Sequence, residues 1–154
     1  EPLAIAMHAV NRTEIELGDT AVVFGAGTIG SMVVKLLQIS SCSRVILVDI
    51  DQAKLDLAAA RGVQYCINSA QQDVVEEVMK LTDGKGADIA FEAVGIAPTI
   101  AAGIDSLKKC GRFTLLGNVR KEIEFRFRRE SVQVFRPHAQ FHAVIPPWSY
   151  GSIP

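Results

Sequence analysis

Apolar positions along this chain follow two periods in turn, and the change from one to the other marks out its elements. Residues 20–24 (TAVVF) form an unbroken apolar run behind the Gly18-Asp19 turn signal, the pattern of a strand buried on both faces. A glycine-rich turn follows, and from Thr28 the residues Ile29, Met32, Val33, Leu36 and Leu37 recur with the spacing of one helical face. Residues 44–48 (RVILV) are a second strand-like run closed by Asp49, and residues 52–61 are an alanine-rich helix with Gly62 as its stop. A third strand over 64–68 (QYCIN) leads to a helix carrying Val74, Val75, Val78 and Met79 on one face, broken at Asp83-Gly84. Residues 87–93 (ADIAFEA) read as a fourth strand ending near Gly95. Pro98 then suits the first turn of a helix whose face holds Ile100, Ile104 and Leu107, with Gly111 as terminator. Residues 112–116 (RFTLL) are the fifth strand, 131–135 (SVQVF) the candidate sixth, and 2–10 (PLAIAMHAV) a short apolar lead-in helix.

Strands alternating with helices of this length predict a parallel sheet covered on both sides and joined by right-handed crossovers. The fold class is α/β, a doubly wound parallel sheet of the Rossmann type. At 154 residues and 49% apolar content the chain makes one domain with its own core, and a net charge of −1 gives no field that would gather nucleic acid or an anionic membrane. Cys42, Cys66 and Cys110 are odd in number and far apart, which fits a reducing, cytoplasmic setting better than a disulfide framework or a metal knuckle. Neither a secretory leader nor a membrane-length apolar run is expected. The chain opens at Glu1 rather than methionine, so we expect a domain taken from a longer protein.

The candidate chemistry lies in the first turn. Gly25-Ala26-Gly27-Thr28-Ile29-Gly30 is a G-x-G-x-x-G between strand and helix, and Asp49 ends the next strand 19 residues after Gly30. In that context the three glycines serve different ends. Gly25 allows the tight turn, Gly27 lets backbone approach a pyrophosphate, and Gly30 lets helix and strand pack closely. The free N–H groups at the helix start then face the phosphates, where the helix dipole favours negative charge. The Asp49 carboxylate would accept the adenosine ribose hydroxyls and repel a 2′-phosphate, so NAD is expected rather than NADP. Domains that bind S-adenosylmethionine also place a glycine turn after their first strand. They usually carry an acid just before the glycines, where this chain has Val22, Val23 and Phe24.

Several further segments carry a family likeness: Glu1-Pro2-Leu3 with His8-Ala9-Val10, Gly18-Asp19-Thr20 leading into VVFGAGTIG, and Val48-Asp49-Ile50 with Lys54. Gly84-Lys85-Gly86-Ala87-Asp88, Glu92-Ala93-Val94-Gly95, and Gly111-Arg112 leading to Leu116-Gly117-Asn118 complete the series. In this order and spacing, over residues 1–125, the chain resembles the coenzyme domain of the zinc-containing medium-chain dehydrogenase/reductases, nearest to their sorbitol, polyol-phosphate and threonine branch. The resemblance implies that Thr28 and Ile29 lie against the cofactor, that Lys54 assists Asp49 at the adenosine ribose, and that Val94, Gly95, Leu116, Gly117 and Asn118 flank the nicotinamide. It also implies that Glu1 reaches a catalytic zinc whose other ligands belong to a preceding domain, and that the full-length protein oxidises a small alcohol or polyol as a homo-oligomer. No catalytic residue is assigned within the chain itself, and His8, His138 and His142 have no ligand spacing with the cysteines.

Beyond Phe125 the composition shifts to arginine, proline and aromatic residues, including Arg126, Arg128, Arg129, Arg136 and Pro146-Pro147. We expect residues 126–154 to be an irregular tail of out-of-frame or otherwise altered sequence. A nucleic-acid patch is disfavoured because Glu122, Glu124 and Glu130 interrupt the basic cluster. The other function classes open at this point are a non-catalytic NAD sensor and an interaction module built on the same fold.

Overall fold

The structure is a computed structural model that describes residues 1–118 and the backbone of 133–135. Its elements are α1 (Pro2–Arg12), β1 (Thr20–Phe24), α2 (Thr28–Ile39), β2 (Arg44–Asp49), α3 (Gln52–Ala60), β3 (Tyr65–Asn68), α4 (Val74–Leu81), β4 (Ala87–Glu92), α5 (Ala97–Asp105), β5 (Leu107–Leu115) and β6 (Gln133–Phe135). The candidate sixth strand therefore exists in part, and the remainder of the expected irregular tail lies outside the described residues. All pairings are parallel, in the order β3-β2-β1-β4-β5-β6.

Alternation along the strands fills both sides of the sheet. Ala21 and Val23 of β1 join Val45, Leu47, Ile89 and Phe91 beneath α1 and α2, where Val33 and Leu37 complete the layer. The intervening Val22 and Phe24 join Ile46, Val48 and Phe113 on the opposite face, under Val78 of α4 and Ile100 and Ile104 of α5. A continuous apolar run is what a strand with two buried faces requires, and β1 is buried at all five positions. Turn chemistry agrees with the pattern at α3. The N–H of Gly62 donates to Ala59 O at 2.9 Å and that of Val63 to Ala58 O at 3.1 Å, closing the last turn as a Schellman motif. At the end of α1, Thr13 Oγ1 donates to Ala9 O and lies 2.8 Å from Thr114 Oγ1, which ties the helix to β5. Since the Thr13 hydroxyl hydrogen is already committed, Thr114 is the donor of that pair.

The largest departure from the sequence expectation is at the junction of α5 and β5, the other boundaries shifting by one or two residues. Helix α5 ends at Asp105 rather than at Gly111, and Leu107, expected on the helix face, is the first residue of β5 opposite Ala87. The cause is capture of the helix end by the sheet: the Ala87 N–H donates to Ser106 O at 2.8 Å, while the Ser106 hydroxyl turns back to Ala102 O. A Cβ on Gly86 would sit 2.7 Å from Leu107 C, so glycine there lets the two backbones meet. The residues after Leu107 then bulge before pairing resumes at Ile89 and Arg112, and Gly111 lies in that bulge.

The chain winds outward from β1 in both directions, through β2 and β3 on one side and β4 to β6 on the other. Between β1 and β4 the order reverses, which opens a crevice at the carboxyl ends of the strands.

Candidate functional site

Four strand ends meet at that crevice. Gly25 leaves β1 with φ +100, a conformation side chains resist, and its N–H donates to Val48 O at 2.8 Å. Gly27 is the N-cap of α2, without side-chain capping, and the first helical carbonyl to be used is its own, by the Ser31 N–H at 2.9 Å. The N–H groups ahead of Ser31 therefore have no helical acceptor behind them. A Cβ built on Gly30 would penetrate the Gly25 carbonyl, whereas one built on Gly27 would have no atom of the described residues within 4 Å. The two glycines thus answer different demands. Packing forbids a side chain at Gly30, and only something outside the described residues would forbid one at Gly27.

Asp49 closes the adenosine side. Its carboxylate accepts the Ala26 N–H at 2.6 Å and the Asp51 N–H at 2.9 Å, which fixes the half-buried side chain beside the glycine turn. Lys54, one turn into α3, is exposed, with Nζ 3.7 Å from Asp51 Oδ2. Thr28 is exposed at the helix start, and Ile29 is half-buried against the core with Ala26 and Met32.

On the other side the turns after β4 and β5 lie against the first. A Cβ on Gly25 would be 2.9 Å from Val94 Cγ2, and one on Gly95 would be 2.9 Å from the Asn118 backbone. Gly117 is more tightly crowded, a Cβ there colliding with Gly95 N, and Leu116 packs on the core while Asn118 faces solvent. Asp49, the glycine turn, Val94-Gly95 and Leu116-Gly117-Asn118 therefore form one continuous ridge. Sequence reasoning named Glu92 only as part of the family likeness and gave no role to this fully buried acid at the end of β4, and it missed Thr99, whose hydroxyl donates to it at 2.7 Å. The available signal was a charged residue closing the apolar run Ile89-Ala90-Phe91.

Glu1 is the exposed N-cap residue of α1. Among the described residues no group of three or more His, Cys, Asp and Glu side chains is placed to hold a metal ion, so these residues alone do not assemble a zinc site. No helix among them is long and apolar enough to cross a membrane.

A doubly wound sheet with a glycine cradle at its switch point defines a Rossmann-type nucleotide-binding domain. The zinc-binding dehydrogenase family matches residues 28–140, and the chain belongs to that family. The match extends beyond Phe125, through β6. The chain is 38% identical over 132 residues to the sorbitol dehydrogenase of Halalkalibacterium halodurans, which covers 84% of this chain and 38% of that protein. It is 36% identical over 129 residues to the D-xylulose reductase of Saccharomyces cerevisiae, covering 81% of this chain and 36% of that protein. Among solved structures, the 2R,3R-butanediol dehydrogenase of Bacillus subtilis superposes with a TM-score of 0.78 at 27% identity, over 88% of this chain and 41% of that one. The chain thus spans well under half the length of these relatives.

Proposed function

We propose that this chain is the NAD-binding domain of a zinc-dependent alcohol or polyol dehydrogenase, which passes hydride from a secondary alcohol to NAD. The unit comprises residues 1–125 with the β6 segment added to its sheet. The observation that carries the reading is the open space in front of Gly27, bounded by the uncapped start of α2, whose first N–H groups have no helical acceptor, and by the Asp49 carboxylate. Those groups suit a diphosphate joined to a ribose with free hydroxyls.

In this reading the helix start and Gly27 hold the pyrophosphate, while Thr28, Ile29 and Lys54 border it. Asp49 accepts the ribose hydroxyls with the lone pairs that Ala26 and Asp51 leave free, and its charge disfavours a 2′-phosphate. Val94, Gly95, Leu116, Gly117 and Asn118 orient the nicotinamide and shield it from water. Bound there, NAD supplies the hydride acceptor, and zinc in the full-length protein supplies a Lewis acid toward the alcohol oxygen. Glu1 is the chain's one candidate toward that zinc, and the remaining ligands come from outside the described residues. The names of the relatives favour a small polyol as substrate and an enzyme over a sensor. A cytoplasmic homo-oligomer is the form expected of the full-length protein.

Titration of the chain with NADH and NADPH tests the proposal. NADH is expected to bind saturably and NADPH at least about tenfold more weakly, through the like charge at Asp49. Absence of NADH binding at millimolar concentration would overturn it.

A further inference from the structure

Glu92 is 0% exposed, yet among the described residues it makes no ion pair with a basic side chain. A carboxylate in such a place is tolerated only when its oxygens are hydrogen-bonded. Here Oε1 accepts from the Val94 N–H at 3.0 Å, the Gly95 N–H at 2.9 Å and the Thr99 hydroxyl at 2.7 Å, a hydroxyl that also lies 2.9 Å from Ile96 O, and Oε2 accepts from the Gly95 N–H at 3.0 Å. The same residue's main-chain carbonyl accepts the Leu116 N–H at 2.7 Å and the Gly117 N–H at 2.9 Å. A Cβ on Gly117 would lie 2.6 Å from Oε2, so the second turn closes directly over the carboxylate.

One residue therefore binds both turns that border the crevice on its β4 and β5 side. Filling a strand end does not by itself require an acid: β1 and β5 end in the buried apolar Phe24 and Leu115. Each of the two strands beside β1 ends in an acid, Asp49 on β2 and Glu92 on β4, and both are engaged by main-chain N–H groups. Asp49 is half-buried and within reach of a ligand, whereas Glu92 is sealed and can act only through the backbone it holds. By drawing the Val94 and Gly95 N–H groups inward, it leaves the Val94 side chain, 43% exposed, on the crevice side.

We infer that Glu92 is a positioning residue for the nicotinamide half of the cofactor, setting the turns after β4 and β5 as one preformed wall. This rests on the proposed NAD-binding function. Glu92→Gln keeps the shape but places an amide donor against the Gly95 N–H, and Thr99→Val removes the hydroxyl donor with little change in volume. The experiment is titration of the 154-residue chain and both variants with NADH and with ADP-ribose, which has the adenosine and diphosphate but no nicotinamide. Circular dichroism would verify the fold of each variant. Glu92→Gln is expected to weaken NADH by about tenfold and Thr99→Val by about threefold, with ADP-ribose within about twofold of wild type for both. If Glu92→Gln does not fold, Thr99→Val decides the matter by the same selective loss. Equal losses for the two ligands, or no loss for either, would overturn the inference while leaving NAD binding intact. Failure of the wild-type chain to bind either ligand would overturn both readings together.

Discussion

At the residue scale, Gly27 and Gly30 separate what the fold needs from what a ligand needs. Alanine at Gly30 would drive a methyl group into the Gly25 carbonyl, and neither the strand nor the helix that meet there can yield without disturbing the core. Alanine at Gly27 meets no atom of the described residues, and its φ of −74 is one that any residue adopts. Gly30→Ala is therefore expected to lower stability by about 3 kcal/mol or more and to lose NADH binding with it. Gly27→Ala should change stability by no more than about 1 kcal/mol, the scale of an altered N-cap, yet weaken NADH by about a hundredfold. Thermal unfolding with NADH titration reads both quantities. A Gly27→Ala chain that binds NADH like wild type would remove the pyrophosphate from the cradle.

At the element scale, β4 and β5 are held at their amino ends by charge. Burial alone would raise the Asp88 carboxyl, but the Lys108 ammonium and the Thr20 N–H, aided by Arg112, outweigh it and hold it below the usual carboxylate range. A depressed carboxyl contributes stability that is present above its unfolded value and lost as pH falls through the folded one. Wild type is thus expected to be more stable than Asp88→Asn near neutrality, with the gap narrowing below about pH 4 in urea unfolding series. A gap that stays constant to pH 2 would remove the ion pair from the acid response. The same strands show where sequence reasoning ends. The β1 run, the glycine turn and the Gly62 stop were legible because each is set by local sequence. The start of β5 was not: Ile100, Ile104 and Leu107 repeat like a helix face, and only the approach of Gly86 and the Ala87 N–H from another strand converts the last of them to sheet. Glu92 was hidden for a related reason: its side-chain donors Val94, Gly95 and Thr99 are close in sequence, but its complete burial and the closure of the Leu116-Gly117 turn over it arise only when β5 pairs with β4.

At the scale of the whole molecule, the two ends of the sheet carry different duties. Glycine turns and carboxylates engaged by main-chain N–H groups occupy the carboxyl ends, where a ligand is proposed, while the ion pairs that join strands among the described residues lie toward the amino ends. There Arg112 Nη2 lies 2.7 Å from Asp19 Oδ2, which also accepts the Glu16 N–H, and Arg44 lies over the Tyr65 ring at 5.4 Å. The Asp19 and Arg112 side chains are only 6% and 15% exposed, so the pair links the entry of β1 to β5 in a largely water-free setting. Arg112→Ala would leave the Asp19 carboxylate buried with one N–H partner, a change expected to lower stability by about 3 kcal/mol, or roughly 10 °C in unfolding midpoint. Because, among the described residues, the proposed site shares no hydrogen-bond partner with the pair, the NADH dissociation constant of the folded variant should stay within about twofold of wild type. Measured at a temperature where the variant is fully folded, a larger loss of NADH affinity would mean that the sheet transmits strain from one end to the other, and the proposed division of labour between its two ends would not hold.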